Sequence, residues 1–364
     1  MNSFLPPDRP TAVIDVNKCK ANIRKMAQRA AERNLRYTPH FKTHQSMEIG
    51  AWYRDEGVDS IQVSSPGMAS YFIDQGWNSI TIAFPLSPSM LPQIDDLASR
   101  VNLTVFINST HTAEIAGESL QNPVTVFTEI DCGFNRSGIP AEDSAQIEKL
   151  LNEINKHSKL KFYGFYVHDG RTYQCRGADE VANTINPVFE TLSAVKKKYP
   201  EAIIRLGDTP SCSLLNDFGV VSEISPGNNV FYDLMQVQIG SCSYDNLAMA
   251  VVCPVAEVHP QSNRAILYGG AVHFSKESIR MNNLACYGQV VRFENQNFGE
   301  PVTEAILTGL AQEHGVLHLP EVLSAKLKPG DYLALYPVHS CLTANLFSHY
   351  LTTDGERIEK RILS

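Results

Sequence analysis

Short apolar and β-branched runs recur along the first two thirds of the chain, and most are separated by enough residues for a helix. An opening run at Thr11–Val16 predicts a strand. Behind it Ile23, Met26, Ala27 and Ala30 fall at helical spacing, which predicts a helix from Asn17 to about Arg33 with Asn17 as its cap. Strand-like runs then follow at Arg36–Phe41, Ser60–Val63, Ser79–Phe84, Asn102–Ile107, Val124–Ile130, Leu160–Val167, Ala202–Leu206 and Val220–Ile224. Eight β-α alternations predict a (β/α)8 TIM barrel. An open doubly wound sheet uses the same alternation and is the alternative. The count of eight favours the barrel.

From about Gly240 helical periodicity fades. β-rich runs at Ala248–Val258, Arg264–Tyr268, Tyr287–Arg292, Val302–Leu307 and Tyr332–Tyr336 predict a separate β domain of about 120 residues. The expected division is a barrel over 17–240 and a C-terminal β domain over 241–364, with the opening strand 11–16 packed on the β domain.

Composition changes this picture little. Hydrophobic residues make up 43% and charged residues 19% of 364, as in a folded globular chain. A net charge of −8, from 31 basic and 39 acidic residues, disfavours a phosphate backbone as partner, so no nucleic-acid role is expected. No apolar run approaches the roughly 18 residues of a membrane span; the longest, Leu247–Val258, is interrupted by Pro254. The N-terminus lacks the pattern of a secretory leader. Eight scattered cysteines without a CxxC pair suit free thiols in a reducing cytoplasm better than a disulfide framework.

Barrel enzymes carry their chemistry at the C-terminal strand ends, and polar residues collect there. His40, Lys42, Thr43 and His44 follow the first strand, and Ser64, Ser65 and Gly67 the second. The loop after the fifth holds Asp131, Gly133, Asn135, Arg136 and Gly138. His168, Asp169 and Tyr173 follow the sixth. Gly207, Thr209 and Ser211 follow the seventh, and Gly227, Asn228 and Tyr232 the eighth. Glycines and hydroxyls after strands seven and eight suit a phosphate held by backbone N–H groups, or the two glycines simply turn the chain. Lys42, if desolvated, could form a Schiff base or act as a base; otherwise it is a surface lysine at a strand end. His168 reads as a core histidine, a base or a stacking platform. Arg136 reads as an anion anchor or a surface ion pair.

In the β domain, EHG at Glu313–Gly315 and YPVHSCLT at Tyr336–Thr343 form a second cluster. His339 and Cys341 would face the same way if the run were extended, and imidazole with thiolate suits zinc. A buried cysteine beside a satisfied histidine is the alternative.

PHFKTH, DCGFNRSG, HDG, GDTPS, PGNNVFYD, EHG and PVHSCLT, in this order from about Arg9 to Leu363, resemble the D-threonine aldolase and D-serine dehydratase family. That resemblance implies an alanine-racemase-like barrel with a β domain and a pyridoxal 5'-phosphate lyase. It implies that Lys42 holds the cofactor, Arg136 contacts its phenolic oxygen and His168 lies beside its ring. It also implies that Gly207, Thr209, Gly227 and Asn228 hold its phosphate, that Tyr173 contacts substrate or cofactor, and that His339 and Cys341 hold a divalent metal. Lys42, His339 and Cys341 would be catalytic. Two departures separate the chain from alanine racemase: Ser225 stands where racemases place an arginine, and racemases lack the HxC pair. Cysteine at 341, where manganese-type aldolases tend to have aspartate, favours zinc and a dehydratase. The expected reaction is therefore loss of water and ammonia from D-serine, with retro-aldol cleavage of D-threonine as the alternative. The resemblance further implies a homodimer acting on a small D-amino acid. Two other classes compete: a pyridoxal-phosphate carrier without catalysis, against which the β domain and its metal pair argue, and a metal-dependent hydrolase lacking pyridoxal phosphate.

Overall fold

The computed structural model describes residues 8–361; 362–364, at the end of the expected β domain, lie outside them. By internal contacts the chain divides into Lys25–Gly227 and a second unit made of Met1–Arg24 with Asn228–Ser364.

The first unit holds nine strands: β2 (Arg36–Tyr37), β3 (Ile61–Val63), β4 (Ser79–Pro85), β5 (Asn102–Phe106), β6 (Val124–Asp131), β7 (Ile139–Pro140), β8 (Leu160–Val167), β9 (Ile203–Leu206) and β10 (Glu223–Ile224). Eight of them, all but the short β7 beside β6, run in the order β2-β10-β9-β8-β6-β5-β4-β3, every pairing parallel. A parallel bridge from His40 to Gln62 joins the two ends, with Phe41 N–H donating to the Gln62 carbonyl at 2.8 Å. The sheet is therefore closed. All eight strand runs expected from Arg36 are present, and closure excludes the open sheet.

The helices are α2 (Met47–Asp55), α3 (Pro66–Ile73), α4 (Leu91–Ala98), α5 (Thr110–Ser119), α6 (Ser144–Lys156), α7 (Gly177–Lys198) and the six-residue α8 (Thr209–Leu214) in the tight β9–β10 connection. They follow α1 (Val16–Glu32). α1 starts one residue before the expected Asn17 because Asp15 caps it: the Lys18 N–H donates to Asp15 Oδ1 at 3.0 Å.

The barrel interior is partly polar. Arg205 stacks on Phe127 and donates to Glu223 Oε2 at 2.7 Å, Thr81 Oγ1 at 2.9 Å and Gln62 Oε1 at 3.3 Å. Tyr163 donates to the other Glu223 oxygen at 2.8 Å. A buried ion pair persists when its remaining donors and acceptors are met in this way.

The second unit contains β1 (Thr11–Ile14), β11 (Met249–His259), β12 (Arg264–Tyr268), β13 (Ile279–Met281), β14 (Leu284–Cys286), β15 (Gly288–Glu294), β16 (Asn297–Leu310), β17 (His314–His318), β18 (Tyr332–Pro337), β19 (His349–Thr352) and β20 (Arg357–Glu359). Its short helices are α9 (Leu234–Ile239), α10 (Ala271–Phe274), α11 (Glu321–Ser324) and α12 (Ser340–Asn345). The order β11-β18-β15-β16-β17-β12 returns to β11, which makes a small closed barrel with β1, β19 and β20 continuing beyond it. Strand β11 makes closure possible. Its first half pairs β1 and β18, and after a bulge at Val255/Glu257 its second half pairs β12. Period-two alternation sends Val251, Cys253 and Val255 into one core and Ala250 and Val252 into another. That is why the run reads as continuously apolar. Strand β17 was not expected; only its first two residues, His314 and Gly315, fall in the EHG motif. Among the described residues no helix is long and apolar enough to cross a membrane.

Candidate active site

The loop carrying Lys42 is built around two histidines. Phe41 is buried against Tyr53, Phe72 and Trp77 and anchors the loop. His40 Nδ1 accepts the Lys42 N–H at 3.3 Å, and His44 Nδ1 accepts the Ser46 N–H at 3.1 Å. His44 stacks on Tyr53, so both imidazoles shape the turn. Lys42 itself is exposed, the second of the two readings its sequence position allowed. The turn places it beyond the aromatic cluster that buries its neighbours.

Arg136 stands in a loop whose motif has a clear physical basis. The Asp131 carboxylate accepts the N–H groups of Gly133, Phe134 and Asn135 at 2.9–3.0 Å, and Asn135 adopts a φ of 59°. Asparagine tolerates that conformation better than most residues. The loop then returns Arg136 and Ser137 to Glu129, at 3.1 and 2.7 Å from its two oxygens. Glu129 is buried at the end of β6 and was not a candidate from the sequence. Lys42 and Arg136 both act on His40 and His168. Burial, with these cations, holds His40 well below its ordinary range and His168 at about 3. Both imidazoles are therefore neutral near pH 7, beside two cationic side chains.

The next two loops are tied together. Thr172 Oγ1 donates to Asp208 Oδ1 at 2.9 Å, and the Thr209 N–H reaches the Tyr173 hydroxyl at 3.4 Å. Asp169 caps its own turn and pairs with Arg171. Neither Gly207 nor Gly227 has a positive φ, so neither is needed to turn the chain. Both are required by close approach. A Cβ on Gly207 would lie 1.9 Å from the Tyr166 hydroxyl, and one on Gly227 would lie 2.6 Å from the His40 carbonyl oxygen. The two glycines thus let the strand-end backbone pack directly on Tyr166 and on the loop of His40.

In the β unit, His339 and Cys341 do meet, but not through the pleat of an extended run. His339 is the N-cap of α12 and Cys341 lies in its first turn. His339 Nδ1 bonds Glu277 Oε2, so the carboxylate stands behind the imidazole. The start of α12 is held by Asp233, whose Oδ2 accepts the Ser340 N–H at 2.8 Å. Asn228 Nδ2 donates to the same Asp233 oxygen at 2.6 Å and also reaches Ser340 Oγ at 3.0 Å and Cys341 Sγ at 3.5 Å. The Asn228 side chain is thus committed to this cluster. Burial opposes charge on His339, yet bonds to Cys341 and Glu277, with Asp233 nearby, raise it to about 11. A nitrogen and a sulfur donor held together, with a carboxylate behind the histidine, form a pair that fits a divalent cation. Among the described residues no group of three or more His, Cys, Asp or Glu converges. The protein would supply two ligands here and leave positions open.

Other motif residues lie elsewhere. Glu313 of EHG sits 3.9 Å from His273, and His314 begins β17. Glu277 was not visible in the sequence, since it lies 62 positions from its partner. Asp233 stood inside a motif without a role.

Residues 14–231 match the family model described as alanine racemase, N-terminal domain, and 248–353 match the putative serine dehydratase domain. The chain belongs to the alanine racemase N-terminal family. Among relatives of this family, the D-serine dehydratase of Dictyostelium discoideum is 26% identical, covering 94% of this chain and 92% of the relative. The D-threo-3-hydroxyaspartate dehydratase of Delftia sp. (strain HT23) is 28% identical over 97% of both chains. Its solved structure superposes with a TM-score of 0.90 at 25% identity, covering 99% of each. A D-threo-3-hydroxyaspartate dehydratase has also been solved as a cysteine-to-alanine mutant in the metal-free form. The D-threonine aldolase of Arthrobacter sp is 23% identical over 93% of this chain and 87% of the relative. The resemblance read from the motifs holds, and the chain is an enzyme of the lyase type, similar to D-amino-acid dehydratases and aldolases.

Proposed function

We propose that this enzyme is a pyridoxal-phosphate- and metal-dependent dehydratase of D-β-hydroxy amino acids, converting D-serine to pyruvate and ammonia. The observation that carries the reading is the His339–Cys341 pair, with Glu277 behind the histidine, in the segment matching the serine dehydratase domain. A D-threo-3-hydroxyaspartate dehydratase solved as a cysteine-to-alanine mutant in a metal-free form supports a metal site in enzymes of this kind. Zinc is the metal we assign, since thiolate with imidazole suits it.

The barrel residues fit the cofactor. Lys42 would bind it covalently and Arg136, steadied by Glu129, would hold its phenolic oxygen. His168, neutral, would lie beside the ring, with Tyr173 close by. Gly207, Thr209, Gly227 and the backbone of Asn228 would hold the phosphate. When bound, pyridoxal phosphate supplies an electron sink for the substrate α-carbon, and the metal supplies a Lewis acid for the β-hydroxyl. The chain's own part is then definite. Lys42 Nζ would take the α-proton as general base, and His40 and His168, held neutral, place no further positive charge beside it to disfavour the lysine once protonated. Eight cysteines scattered along the chain without a CxxC pair agree with a reducing cytoplasm, and a homodimer is the assembly we assign.

The test uses purified protein, chelated and then re-supplied with zinc, on D-serine and D-threonine. Keto acid from D-serine is expected; glycine without keto acid would replace the dehydratase by an aldolase. Borohydride reduction should leave a pyridoxyl adduct on Lys42, and its absence overturns the cofactor assignment. Absence of any turnover of D-amino acids, with zinc present and the adduct formed, points to a carrier.

A further inference from the structure

Lys360 is a buried lysine for which the proposed reaction has no use. It is 5% exposed and follows β20 in the second unit. Its ammonium bonds the Ala344 carbonyl oxygen, donates to the Phe347 carbonyl at 2.8 Å and lies 5.1 Å from the Tyr350 ring centre. Among the described residues no carboxylate pairs with it. A desolvated cation without a counter-charge is costly, and an apolar side chain of similar size would be cheaper to bury. The two carbonyls it binds explain why a lysine stands there. Ala344 lies in the last turn of α12, the six-residue helix capped by His339 with Cys341 in its first turn, and Phe347 follows its C-cap.

A helix this short does not hold itself together: too few internal bonds repay nucleation, and its last carbonyls are unmatched. It is fastened from outside at three points. Asp233 takes the Ser340 N–H at the start, Thr343 Oγ1 donates to the Phe274 carbonyl at 3.0 Å in the middle, and Lys360 closes the end. A cation at that end also opposes the negative pole of the helix. Burial lowers Lys360 to about 8, so it remains protonated at neutral pH and keeps its donors.

We propose that Lys360 is a positioning residue for the metal pair, fixing the turn of α12 from which Cys341 faces His339. This rests on the assignment of a metal to that pair. The probe is zinc alone, titrated into the full-length protein against a chromogenic chelator, alongside thermal unfolding. Lys360→Met should weaken zinc binding about tenfold, as losses of outer-shell support do. Lys360→Gln, which keeps two N–H donors without the charge, should fall between Lys360→Met and the unaltered protein. Lys360→Gln also keeps the test decisive where Lys360→Met does not fold. A purely structural lysine would lower the unfolding temperature and leave zinc affinity unchanged; that result overturns the proposal. Cys341→Ala separates the two claims: if it binds zinc as tightly as the unaltered protein, the metal assignment itself fails.

Discussion

Gly207→Ala distinguishes two explanations of the strand-end glycines by the sign of its effect. If Gly207 only turned the chain, its ordinary φ would accept alanine, and the substitution would stabilise by about 0.4–1 kcal/mol through the unfolded state. The structure requires the opposite. The new methyl would lie 1.9 Å from the Tyr166 hydroxyl oxygen, 2.6 Å from Cζ and 3.1 Å from Cε2. The first of these is roughly 1.6 Å inside the optimal separation of about 3.5 Å. Tyr166 cannot swing away, because it is buried and packed on Phe106 with ring centres 4.7 Å apart. Overpacking of this kind costs about 1–3 kcal/mol. For a unit of this size that lowers the unfolding temperature by about 2–12 °C. Urea unfolding without added cofactor measures it. Tyr166→Phe supplies the second arm: it removes the nearest atom and one long bond from Gln62, at 3.4 Å. In the double variant part of the loss should return, with a coupling of about 0.5–3 kcal/mol. A Gly207→Ala protein as stable as the parent, or strictly additive losses, would refute the close-approach argument.

Two further predictions concern buried carboxylates. Glu223→Gln leaves the Arg205 guanidinium buried without its counter-charge and should cost about 3–5 kcal/mol in urea unfolding. Replacing the pair together, as Arg205→Met with Glu223→Leu, should cost less than Glu223→Gln alone; a larger loss would show that the pair itself stabilises the barrel. Asp208 is raised to about 6 by burial, against an ordinary value of 3.8. Between those two values the unfolded chain has released its proton and the folded chain still holds it, so stability falls as pH rises through the window. The fall is about 3 kcal/mol at most. Asp208→Asn keeps the acceptor for Ser211 and Thr172 but does not titrate. Its urea midpoint should therefore drop less than the parent's between about pH 4 and pH 6, and parallel curves would remove Asp208 as the cause.

The barrel was legible because strands and helices write their periods locally: a run such as Leu160–Val167 carries its own evidence, and eight such runs limit the topology to few forms. The order of motifs was legible for the same reason, since each loop is contiguous. What failed to appear was whatever depends on partners distant in sequence. The pairing of β17 with β12 and β16 claimed residues that looked like part of a site. The spacing of His339 and Cys341 was read from the sequence, but the helix start that brings them together was not, nor was Glu277. Sequence alone determined which chemical groups this enzyme has and which strand or loop carries most of them. The tertiary structure alone decided their surroundings: which glycine clears a phenol, which carboxylate steadies Arg136, and which lysine closes the helix of Cys341. Periodicity is a property of neighbours along the chain, whereas burial and hydrogen bonding are properties of neighbours in space.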